Sequence, residues 1–295
     1  MARSADTRVA GLEPAPASDA SDAIETIVRH DRWVVAAALT LITVLAWVYL
    51  LTGAGMDMDM GGMDPDMVMP MDWSPGYALI MFLMWWIMMI AMMLPSAAPM
   101  ILLFALVNRR SREQGAPWVP TIIFAAGYLI AWGGFSLAAT LLQWWLEQSG
   151  WLTMAMASAN PWLSGVILIA AGIYQLTPLK HACLRHCRGP VEFISRHWRP
   201  GADGALRMGL EHGAFCVGCC WVVMGLLFYG GVMNLYWIVG LAVLVLLEKV
   251  LPAGHWLGSL SGIGFLVWGG WLLVYVPRAM RPGDEPGPDS EYRVS

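Results

Sequence analysis

The chain has 295 residues, of which 58% are apolar and 13% charged, with a mean hydropathy of +0.59. One soluble core cannot hide that much apolar surface, so the composition excludes an ordinary soluble globular domain and calls for a bilayer. A net charge of -4 and a pI near 5.8 leave no basic face for nucleic acid.

Residues 1–28 are rich in Ala, Asp, Ser and Pro and lack an apolar signal core. They read as a disordered cytoplasmic tail, so that the first span serves as an uncleaved anchor. Apolar stretches follow at Trp33–Leu51, Tyr77–Val107, Pro120–Leu146, Trp162–Thr177, Gly209–Gly230, Leu235–Leu251 and Trp256–Val276. Most reach the roughly 17–25 residues that cross a hydrocarbon core. They predict an all-α, polytopic transmembrane helical bundle of about seven spans within residues 29–280. The second span is long enough to tilt, or to break at Pro95 and Pro99. Residues 281–295 read as a polar, Pro-rich disordered tail.

Basic residues set the expected orientation. Arg29 and Arg32 precede the first span, Arg109, Arg110 and Arg112 follow the second, and Lys180, Arg185, Arg188, Arg196, Arg199 and Arg207 crowd the connection at 178–208. These are cytoplasmic by the positive-inside rule, where they also meet anionic lipid headgroups. The alternating connections carry no Lys or Arg and face outward, placing the N-terminus inside. Arg278 and Arg281 dissent, lying beyond the last span on the side expected to be external. Trp residues near span ends fit an interfacial belt.

The external connection, 53–76, contains MDMDMGGMDPDMVMPMD. Met56, Met58, Met60, Met63, Met67, Met69 and Met71 alternate there with five aspartates. Thioether sulfur is a soft, uncharged ligand that selects Cu(I), needs no deprotonation and cannot form a disulfide. The interleaved carboxylates concentrate cations. The plainer alternative is a flexible acidic loop whose methionines are compositional accident.

All five cysteines fall between residues 183 and 220. Cys183, His186 and Cys187 stand at i, i+3 and i+4, one face of a helix if the stretch is helical. In GLEHGAFCVGCCW, His212, Cys216 and then Cys219 or Cys220 repeat the spacing. Two such faces brought together offer thiolates and imidazoles suited to Cu(I) or Zn(II). The alternative is that the cysteines pack as small hydrophobes. Between the two regions, Met81, Met84, Met88 and Met92 make one helical stripe, a possible ion relay or adaptable packing, with Met89 and Met93 as a second rung. Glu248 and Lys249, at the expected end of the sixth span, suggest a functional site if they lie within the bilayer, but at a cytoplasmic boundary they read as solvated or paired with each other. Gly258 with Gly262, and the pairs Gly133–Gly134 and Gly269–Gly270, read as close helix packing.

The stretches WWIMMIAMMLPSAAPM, YQLTPLKHACLRHCRGP, GLEHGAFCVGCCWVVM and GGVMNLYWIVGLAVLVLLEKVLP resemble a bacterial family of predicted metal-binding integral membrane proteins, a domain of unknown function sometimes labelled copper chaperone. The resemblance spans about residues 77–276. It implies a multi-pass protein of the bacterial inner membrane with a metal site formed by Cys183, Cys187, Cys216, Cys219 and Cys220.

Three functions are open on these residues. The first is copper handling, with Cu(I) captured by the Met-rich loop and passed to the Cys/His cluster for uptake or for a copper-dependent protein or second membrane subunit. The second is a membrane thiol–disulfide oxidoreductase using Cys216-Val217-Gly218-Cys219, which would make the protein an enzyme. The third is a scaffold or transporter clamped by a structural zinc ion.

Overall fold

The computed structural model describes residues 17–53, 72–115 and 119–279, with the side chains of 17–32, 112 and 276–279 left aside. The methionines from Met56 to Met71 lie outside the described residues. Among those described the architecture is all-helical: α1 (Ala17–Leu51), α2 (Pro75–Glu113), α3 (Thr121–Gln148), α4 (Pro161–Leu176), α5 (Pro178–Arg188), α6 (Pro190–His197), α7 (Gly201–Gly225), α8 (Leu227–Gly230), α9 (Leu235–Val250) and α10 (Gly254–Ala279). α1 begins earlier than expected, so residues 17–28, read as tail, are helical.

All seven expected spans are helical, but five helices are long and apolar enough to cross a membrane. α4 and α9 have 16 residues each, about 24 Å at 1.5 Å per residue, short of a core about 30 Å thick. α4 and α5 together pass the length test as one broken span bent by 64°. The break has a local cause: Thr177 is extended and Pro178 restarts a helix, with the Thr177 hydroxyl accepting from the Lys180 backbone N–H at 3.3 Å. Apolar side chains stand exposed along the long helices, among them Ile122, Val166, Leu260 and Val267, as a lipid-facing surface requires.

Two helix pairs zip together through glycine, and α2 fills the centre. α3 meets α7 where a Cβ on Gly209 would run into the Phe124 carbonyl. α4 meets α10 where Gly269 and Gly262 lie against the Gly165 and Gly172 carbonyls. Such small-residue contacts let backbones approach closely in lipid, where apolar burial gives no advantage. α2 runs unbroken through Pro95 and Pro99. Pro95 has no N–H for the Ala91 carbonyl, and the Trp47 indole of α1 donates to that carbonyl at 3.2 Å instead. The stripe Met81, Met84, Met88 and Met92, with Met89 and Met93, is buried along α2.

Candidate metal centre

The connection at 178–208 folds as α5 and α6, and α5 packs on α7. Contacts pair Cys183 with Gly218 and Cys187 with Cys219. Gly218 makes room for this approach, since a Cβ at that position would stand 3.0 Å from the Cys183 Sγ. On α7, Cys216, Cys219 and Cys220 share one buried face at i, i+3 and i+4.

Cys187 Sγ and Cys219 Sγ are 3.9 Å apart, and Cys220 Sγ is 3.8 Å from the Met93 thioether. Cys216 lies within hydrogen-bonding reach of the Cys187, Cys219 and Cys220 thiols. All five cysteines are free thiols. Cys219 and Cys220 each donate to the Cys216 carbonyl, at 3.1 and 3.0 Å, which keeps their sulfurs turned along their own helix. Among the described residues, no three His, Cys, Asp or Glu side chains stand in metal-holding geometry.

Non-sulfur groups complete the centre. Lys249 Nζ donates to Cys216 Sγ at 2.9 Å and to Ser96 Oγ at 3.1 Å. The Tyr128 hydroxyl is 3.1 Å from the same sulfur and 3.3 Å from the Met93 carbonyl, to which it donates. Five helices therefore meet here: α2, α3, α5, α7 and α9.

The histidines stand at its margin. His212, one turn before Cys216, packs its ring against Tyr128, Phe124 and Phe193, and its buried Nδ1 has no hydrogen-bond partner. His186 stacks on Phe215 at 4.1 Å between ring centres, and its Nδ1 is 2.9 Å from the Ala182 carbonyl. A cavity of about 280 Å³ bordered by His186, His197, Arg185, Arg196 and Glu192 opens beside it.

Glu248 and Lys249 correct the sequence reading. Both are buried, and they are not paired with each other. Glu248 bonds Lys180 Nζ at 2.6 Å, while Lys249 turns to Cys216. Each lies near the end of α9, but Lys180 of α5 meets Glu248 and side chains of α2 and α7 meet Lys249, so a position that looks interfacial in the linear sequence is interior. Gly258, expected to serve helix packing alone, borders the Glu248 carboxylate and the Lys180 ammonium. Tyr128, Ser96 and Lys249 were absent from the expected site. The available signal was a lysine at the end of an otherwise apolar run, since intramembrane charge marks function by default.

Several helices long and apolar enough to cross a membrane fit a membrane protein, and thiols, a thioether and a lysine converge in the interior of the bundle. The family model PpoB2, described as a copper chaperone, matches residues 82–272, and the chain belongs to that family. That description agrees with the resemblance read from the sequence, and it is not the description of an enzyme. No curated protein and no solved structure matches the chain.

Proposed function

We propose that the protein binds Cu(I) inside the membrane between the thiolates of Cys187 and Cys219, with Cys216, Cys220 and Met93 beside them and Cys183 at the rim, and hands it to a copper-dependent partner. The observation that carries this reading is the 3.9 Å separation of Cys187 and Cys219, with Cys220, next in sequence to Cys219, beside the Met93 thioether. Two sulfurs so placed can share one ion at thiolate–metal distances of about 2.3 Å without moving the backbone. Soft sulfur donors in small number suit Cu(I).

Charge balance supports the same ion. Two thiolates and one Cu(I) carry one net negative charge, and the Lys249 ammonium beside Cys216 neutralises it in a medium where an unpaired charge is expensive. Binding releases the thiol protons, so affinity falls as pH falls. In this reading the arginine-rich connections face the cytoplasm, the Met-rich segment faces out, and the α2 methionines lie between the two ends.

The test is Cu(I) competition against a chelator, under reducing conditions, with the purified full chain. Cys187→Ser and Cys219→Ser each lower Cu(I) affinity by at least about tenfold, as loss of a thiolate ligand requires. Unchanged affinity in both variants overturns the site. Loss of a disulfide-exchange activity in metal-free protein would put the oxidoreductase in its place.

A further inference from the structure

A second polar centre lies at the other end of the methionine stripe, where α2 begins at residue 75 and α3 ends at residue 148. Gln143 and Glu147 stand one turn apart on α3, both buried. Gln143 Nε2 donates to Glu147 Oε1 at 2.8 Å and also approaches Met156 Sδ at 3.3 Å and Met81 Sδ at 3.5 Å. Its carbonyl oxygen accepts from the Trp85 indole at 2.7 Å, which fixes the side chain. One amide therefore faces three acceptors with two hydrogens, so the donors are oversubscribed.

The carboxylate itself is short of positive charge. Glu147 Oε2 accepts from the Trp73 indole at 2.8 Å, but no ion pair among the described residues includes Glu147. The neighbouring Tyr77 hydroxyl, edge-on to Trp73, is buried without a hydrogen-bond partner. Met156 sits in the left-handed region at φ 55, an uncommon conformation for a non-glycine residue. The segment around it is held by Thr153 and Ala157 and by the Ser158 N–H donating to the Phe228 carbonyl at 2.8 Å. Strain at a pinned residue that delivers a buried thioether is the pattern of a ligand held in place.

We propose that Met81, Met156 and Glu147 form a second cation site, selective for Cu(I) and its soft d10 analogue Ag(I), which binds without any cysteine. Two thioethers supply the soft donors and the carboxylate supplies the compensating charge. The neutral Gln143 amide gives way to the ion by turning its hydrogens to Glu147 alone. Trp73 directly follows Asp72, the last residue of the Met/Asp segment. The proposal rests on the reading of the protein as a Cu(I) handler, but it uses none of the same residues.

The experiment is an Ag(I) titration of the full chain, labelled with 13C at the methionine methyls and reconstituted in phosphatidylcholine nanodiscs. Signals are assigned by Met81→Leu and Met156→Leu, which conserve volume. Both signals shift together at low Ag(I), in the wild type and in Cys216→Ser/Cys219→Ser alike. Glu147→Gln still accepts from Trp73 yet removes the charge, and weakens that transition by about tenfold. Silent Met81 and Met156 signals, in protein whose cysteines bind Cu(I), overturn this site alone. Shifting signals, with cysteine variants that bind Cu(I) as well as the wild type, support this site and overturn the cysteine centre alone. A transition unaltered by Glu147→Gln overturns the role of the carboxylate.

Discussion

Glu248 and Lys249 are neighbours on α9, yet each enters a different kind of buried centre. Glu248 joins Lys180, Gln175 and Ser261 in a closed network. Gln175 donates to the carboxylate and to the Ser261 hydroxyl, each at 2.8 Å, while Lys180 bonds both Glu248 and the Gln175 carbonyl oxygen. Lys249 meets only polarizable or neutral partners: the Cys216 sulfur, the Ser96 hydroxyl and, at 4.0 Å, the Met93 thioether. The first centre is electrically complete and ties α4, α5, α9 and α10 together. The second holds a cation against sulfur, and sulfur is a ligand that a soft metal ion also wants. A clamp and a binding centre are thus built from adjacent residues, and what separates them is the softness of the partner.

The comparison is broken most directly at the clamp. Glu248→Gln leaves Lys180 buried without its counter-ion, and losing one partner of a buried pair costs about 3–5 kcal/mol. Thermal unfolding of the detergent-solubilised protein should show that loss. The double change Lys180→Met with Glu248→Met should recover most of it, because paired apolar replacements remove both desolvation costs. A single variant as stable as the wild type would show that Lys180 and Glu248 are solvated after all.

Lys249→Met should act the other way round, on binding more than on stability. It removes a buried ammonium together with the cost of burying it, and the Tyr128 hydroxyl remains beside Cys216. The copper-loaded thiolates then lack their compensating charge. Cu(I) affinity should fall by about ten- to a hundredfold, the scale of one hydrogen bond to a charged group at about 1.5–3 kcal/mol. Chelator competition measures it, and an unchanged or tighter affinity would remove Lys249 from the centre.

How much of this was readable in the chain depends on whether a feature is local. The helices were readable because hydropathy and length are local, and the i, i+3, i+4 spacing of Cys216, Cys219 and Cys220 put them on one face before any fold was known. The clustering of five cysteines within 38 positions likewise announced a common site. The burial of Lys249 was not readable, since it depends on α2 and α7 packing against the end of α9. Nor was the grouping of Gln143, Glu147 and Met156. Gln143 and Glu147 look like the polar end of a span, and Met156 reaches them only through a left-handed turn thirteen residues further along. The count of seven spans is not confirmed for a related reason: α4 and α9 are apolar but have only 16 residues each, and their ends are set by local caps such as Asn160, Thr177 and Asn234.

The smallest structural effect, and the most informative functional one, is expected between the two ends. Met84, Met88 and Met92 are buried along α2 in the stripe that begins at Met81 beside Gln143, and the second rung, Met89 and Met93, ends beside Cys220. Successive rungs lie one helical turn apart, about 5–6 Å between Cβ atoms, close enough for thioethers to pass a soft ion from one to the next. Replacing all three with Leu conserves volume and apolarity, and each exchange typically costs less than about 1.5 kcal/mol, so expression and thermal stability should stay near wild type. Only the sulfur ligands are lost. If the stripe conducts Cu(I), the triple variant binds copper at the cysteines in detergent, where the ion reaches them from either face, yet fails to deliver it in cells, read as copper accumulation and growth across limiting and excess copper. If the stripe is packing, delivery is normal, and the two ends act independently, with the cysteine centre loaded and unloaded from a single face of the membrane.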